Sequence, residues 1–113
     1  MIISIVETGF LLHEADQPSD NAIAVKWQHI AQITAFKRDC FSYHLICLAV
    51  ADDRTIVEIC EEDAGWDAFL QAAQTILPGL VPADVWLAEI AQPQFGSSST
   101  NIYRKDQSSS QFQ

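Results

Sequence analysis

Two runs of opposite periodicity meet between Tyr43 and Leu77, and they constrain this chain more than any other part of it. Tyr43–Val50 (Tyr-His-Leu-Ile-Cys-Leu-Ala-Val) is its most continuously apolar stretch. It has the length of a strand, and Arg54–Cys60 follows it after an Asp52-Asp53 pair, which predicts a hairpin closed by a two-residue turn. The period then changes. Trp66, Phe69, Leu70, Ala73, Ile76 and Leu77 recur at i, i+3, i+4, i+7, i+10 and i+11, one apolar stripe along a helix. A sheet with an apolar face needs a cover, and this helix is the element at hand.

With Asp52-Asp53 as the turn, Ile46 faces Ile59, Leu48 faces Val57 and Val50 faces Thr55. This register collects apolar side chains on one face, which is how register is usually specified. It also sets His44 opposite Glu61 and Cys60 opposite Leu45. The other face keeps Leu45, Cys47, Ala49, Ile56 and Cys60, with Glu58 its one charge. Half-solvated sheets alternate apolar and polar residues, and this one does not. Such a face calls for a lid. Two are available: the 80–103 segment, with Val85, Trp86, Ile90 and Phe95, or a second copy of the chain. A homodimer burying Leu45, Cys47, Ala49 and Ile56 is the expectation.

The rest of the chain fits around this centre. Residues 2–6 read as a first strand extending towards Leu12, and Glu14–Asn21 is a polar, Pro-containing loop. Ala22–Lys26 forms a second strand ending at Trp27. One helical turn at Gln28-His29-Ile30 leads into a third, Ile30–Lys37, with Ile33 and Ala35 on one face and Ile30, Gln32, Thr34 and Phe36 on the other. Short loops predict an antiparallel meander through the strands that follow. Asp63 is the expected N-cap of the Trp66–Leu77 helix, and Pro78-Gly79 ends it. Pro82-Ala83-Asp84 starts a short second helix through Ile90, and Thr100–Tyr103 is a last edge strand. The predicted fold is α+β: a curved antiparallel sheet of about five strands packed by one main helix, with a short C-terminal helix. Residues 1–105 form the domain, and the Ser- and Gln-rich 106–113 segment is a disordered tail.

Composition narrows the partners. The 113 residues hold 15 acidic and 6 basic side chains, a formal charge of −9. That balance repels nucleic acid and anionic lipid, and no stretch has the length of a membrane span. The start lacks the basic flank of a secretory leader, and three cysteines form no C-x-x-C pair, so reduced thiols in the cytoplasm are expected. A basic protein is the complementary partner.

Chemistry-bearing residues are few. Cys40, His44, Cys47 and Cys60, spaced C-x3-H-x2-C-x12-C, are zinc-type ligands. His44 and Cys47, three apart on one strand, leave opposite faces, so neither a metal site nor a cofactor is expected. A His44–Cys60 dyad would need a three-residue turn and is not expected. Glu58, Glu61, Glu62, Asp63 and Asp67 crowd the approach to the helix, without the spacing of a calcium loop. Helix capping and solvation account for them, with partner binding as the functional alternative. Lys37 and Arg38, between Phe36 and Phe41, make the one basic-aromatic knuckle and could hold a phosphate or carboxylate. Candidate binding residues are therefore Lys37, Arg38, His44, Glu61 and Glu62. No catalytic residue is assigned.

Trp27-x-x-Ile30, the Ala35-Phe36-Lys37-Arg38-Asp39 run, Leu45-Ile46-Cys47-Leu48, Glu58-Ile59-x-Glu61-Glu62 and Leu77-Pro78-Gly79 together resemble a family of small uncharacterised bacterial proteins over residues 22–103. More loosely, the strand entry at Trp27 and the closing helix resemble bacterial pleckstrin-homology-like domains. That likeness implies a half-barrel capped by a helix and used for binding or assembly. The reading that results is a non-enzymatic acidic interaction module, of the adaptor, inhibitor or immunity type. The rival is an enzyme or accessory subunit with a pocket around His44, Glu61, Lys37 and Arg38.

Overall fold

A computed structural model describes residues 1–14, 16, 22–39, 44–90 and 99–105. The loop expected over Glu14–Asn21 and the tail after Asp106 fall wholly or largely outside them. The chain runs β1 (Ile2–Val6), β2 (Gly9–His13), β3 (Ile23–Lys26), a 3-10 turn (Trp27–His29), β4 (Ile30–Asp39), β5 (His44–Asp52), β6 (Ile56–Cys60), α1 (Trp66–Ile76), α2 (Ala83–Ile90) and β7 (Ser99–Arg104). The strands make two antiparallel sheets, β1-β2-β3 and β6-β5-β4-β7. The α+β class holds. The main helix and the short C-terminal helix stand where expected, but the single sheet of about five strands is replaced by two sheets of three and four strands, which form no closed barrel.

Two local features cause the split. The first strand does not extend to Leu12; it turns at Glu7-Thr8, so that Val6 pairs with Gly9 and Ile2 with His13. Gly9 then lets β3 close on β2, since a Cβ there would lie 1.9 Å from the Val25 carbonyl oxygen, inside any tolerable contact. The second is the 3-10 turn. Trp27 N–H donates to Thr8 O at 3.0 Å, holding the chain on the first sheet, and Ile30 then begins the second. The expected meander therefore survives only as β4-β5-β6.

The central hairpin has a different register from the one expected. Leu48 pairs with Ile59, Val50 with Val57 and Cys47 with Cys60, two residues from the predicted alignment. Asp52 is the cause. Its Oδ1 accepts from Arg54 N–H at 2.9 Å and Thr55 N–H at 2.8 Å, so the turn is Asp53-Arg54 rather than Asp52-Asp53. An aspartate that bonds to the backbone two residues on builds a turn of its own. A slip of two keeps every side chain on its face. Leu48, Val50, Val57 and Ile59 are accordingly all buried. In β4 a register shift between Ile30 and Gln32 carries Ile30 inward beside Ile33 and Ala35, against the expected alternation.

The α1 stripe buries Trp66, Phe69 and Ala73, with Leu77 capping the end, while Ile76 is 43% exposed. Its N-cap is Gly65 at φ +92, not Asp63. Here a Cβ would meet the Ile3 carbonyl oxygen at 2.1 Å, where Ile3 N–H bonds back to Ala64 O. That close crossing ties β1 to the helix start. Phe69 stacks with Phe10 and Trp27 at centroid separations of 5.0 and 5.8 Å. Trp27 Nε1 is buried there without a partner, a desolvation cost of about 1–3 kcal/mol. α1 packs on β1, and α2 packs on β4 and β7 through Trp86 and Ile90. Both helices close on one apolar core.

Candidate functional site

Chemistry-bearing side chains gather where β6 ends and α1 begins. Glu61 N–H donates to Ile46 O at 3.0 Å, and Ile46 N–H donates to the Glu61 carboxylate at 2.9 Å. Glu61 thus sits opposite Ile46, not His44, and its carboxylate fastens the end of the ladder. Asp63 Oδ2 accepts from Cys60 N–H at 2.9 Å, and its Oδ1 lies 3.6 Å from the Met1 ammonium. Two of the clustered acids are therefore engaged with the chain's own backbone and terminus. Glu62 and Asp67 are exposed beside them.

Lys37 and Arg38 do not act together. Adjacent on a strand, they leave opposite faces. Lys37 lies on the inner face and is 6% exposed. Arg38 lies on the outer face, 5.4 Å from the Phe36 ring centroid and 2.7 Å from Glu58. The backbone of His44 pairs with Asp39 at the far end of β4; Cys40 lies outside the described residues. The structure brings Glu61 and Glu62 together but separates Lys37 from Arg38, so the four residues of the rival pocket do not share one wall. Among the described residues, no group of three or more His, Cys, Asp or Glu side chains converges as a metal site would.

The residues expected at an interface share the outer face of the four-stranded sheet, but unequally. Leu45 and Ala49 are half-buried, Cys47 is 2% exposed, and Ile56 on the edge strand is 65% exposed. Nearer β7 the same face turns polar. Asn101 Oδ1 accepts from Gln32 Nε2 at 3.0 Å and Thr34 Oγ1 at 2.8 Å.

A concavity of about 400 Å³ lies beside β7, lined by Gly79, Val81, Asn101, Ile102, Tyr103 and Arg104. Sequence reasoning missed it, because its walls come from segments far apart in the chain, brought together where Val81 N–H bonds to Ile102 O at the sheet edge. Burial pushes the Tyr103 hydroxyl up, which makes it a poor general base. No family model, no curated protein and no solved structure matches this chain. No helix among the described residues is long and apolar enough to cross a membrane.

Proposed function

We propose that the protein is a non-enzymatic interaction module whose acidic ridge at the β6–α1 junction takes a basic segment of a partner protein. One observation carries this reading: Glu58, Glu61, Glu62 and Asp67 are all exposed along one edge strand and the helix start that follows it. The excess of acid over base gives that ridge a long-range pull on cationic partners. The setting in this reading is cytoplasmic.

A second copy of the chain completes the proposal, joined through Leu45, Ala49 and Ile56 on the outer sheet face. Two experiments test it. A lysine-rich peptide should bind wild type with an affinity that falls as salt rises, and Glu61→Lys with Glu62→Lys should abolish binding; salt-insensitive binding, or none, removes the ridge from the reading. Light scattering should find wild type dimeric and Ile56→Asp monomeric at micromolar concentration. A wild-type monomer throughout the dilution series removes the dimer.

A further inference from the structure

The slipped register has a chemical result that lies beyond the interaction reading. It sets Cys47 on β5 directly opposite Cys60 on β6. The type of pair follows from its neighbours. Glu61 N–H bonds to Ile46 O, and Asp52 N–H bonds to Thr55 O. Antiparallel ladders alternate hydrogen-bonded and non-hydrogen-bonded pairs. Ile46–Glu61, Leu48–Ile59, Val50–Val57 and Asp52–Thr55 are therefore of the first kind, and Cys47–Cys60 is of the second. At such a site the Cα atoms are about 4.5 Å apart and the side chains lean together. A disulfide accepts Cα separations of about 4.4–6.8 Å. Both residues are thiols in this structure. They also differ in access: Cys47 is 2% exposed, whereas Cys60 is half-buried on the edge strand.

We propose that Cys47 and Cys60 are a redox modification site, closed by a low-molecular-weight disulfide oxidant into a reversible cross-strand disulfide. The Cys60 thiolate attacks the oxidant, forming a mixed disulfide and releasing one half of the oxidant as a thiolate. The Cys47 thiolate then attacks Cys60 Sγ, forming the protein disulfide and releasing the second half. Two protein thiols lose two protons and two electrons, and the oxidant's sulfur–sulfur bond takes the electrons. Cys47 Sγ donates a weak contact of 3.7 Å to Leu45 O. Burial pushes the Cys60 thiol up, so its thiolate is scarce at neutral pH and the first step accelerates as pH rises. Once formed, the bond pins the edge strand β6, and with it Glu58, to β5.

The test uses the full chain and oxidised glutathione. Wild type is oxidised, its remaining thiols are alkylated, and a non-reducing digest is mapped by mass spectrometry. The expected product is one peptide pair joining Cys47 to Cys60, lighter than the reduced chain by two hydrogens and reversed by dithiothreitol. In a Cys40→Ser background both remaining thiols should disappear together, and the oxidised form should melt at a higher temperature than the reduced one. Cys47→Ser in that background should stop at a stable glutathione adduct on Cys60. A digest that joins Cys40 to either cysteine instead, or a Cys60 adduct that persists while Cys47 is intact, overturns the assignment. Because wild type is mapped directly, no outcome depends on a variant that folds poorly.

Discussion

The inner and outer faces of the four-stranded sheet are made from the same strands and solve opposite problems. Inside, Ile33, Ala35, Leu48, Val50, Val57 and Ile59 meet the helices and are almost without solvent contact. Their identity matters through volume, since close-packed interiors respond to the loss of even one methylene. Outside, the face is assembled from particular pairs: Asn101 with Gln32 and Thr34, and Arg38 with Glu58 and the Phe36 ring. The first face sets how stable the sheet is. The second fixes which strand lies beside which, at small energies.

The contrast is sharpest in denaturant. Leu48→Ala on the inner face should cost about 2–5 kcal/mol, read as a lower urea midpoint at unchanged slope. Its chain neighbour Ala49, on the outer face, should accept Ser within about 0.5 kcal/mol. If the two substitutions cost the same, the faces do not differ as described. Asn101→Ala comes next. It removes the acceptor shared by Gln32 and Thr34 and should cost roughly 0.5–1.5 kcal/mol, the net worth of an ordinary hydrogen bond. Hydrogen exchange should show the loss concentrated in β7, and a uniform loss would mean that the network does not hold that edge.

Arg38→Ala should cost less than about 1 kcal/mol, because both members of its ion pair are half exposed and screened. Added salt should erase most of the difference, and a large salt-resistant effect would place Arg38 among the volume-filling residues instead. The smallest effect belongs to Asp52, at the tip of the hairpin. Backbone N–H groups of Arg54, then Thr55, hold its carboxyl below the usual carboxylate range. A depressed folded-state pKa gives stability that is fully present above the unfolded value of about 3.9. It is lost as pH falls through the lower folded value. Asp52→Asn keeps an acceptor but loses the charge, so it should lower stability slightly at neutral pH and converge on wild type as pH falls through the acid limb.

The inner face was the legible part. The apolar stripe of α1 and the continuous apolar run of β5 carry it directly, and face parity survived the register error because a slip of two preserves it. Asp53-Arg54 was chosen over Asp52-Asp53 by hydrogen bonds from one carboxylate, which hydrophobic patterning does not report. The β1–β2 hairpin was hidden for a similar reason. Glu7-Thr8 is not a strong turn pair, and the need for Gly9 arises from β3, which arrives later in the sequence. The candidate site was legible only as composition. Glu61 and Glu62 lie exposed near the helix start, whereas Lys37, grouped with them, turns inward with strand alternation.

The pairing of β4 with β7 has a consequence for how this protein is made. Thr34 meets Asn101 across 67 positions of sequence, while β5 and β6 join β4 through short connections. On the ribosome, the β4-β5-β6 meander is complete long before its last neighbour exists. Until β7 emerges, one side of β4 offers a row of unpaired N–H and C=O groups beside a nearly finished core. Such an edge is a template for strands from other chains. A chain halted after Ile90 would carry three of the four strands of this sheet and keep that edge open indefinitely. The final six-residue strand therefore takes that edge of β4, and its own outer side is bonded by Val81 N–H to Ile102 O.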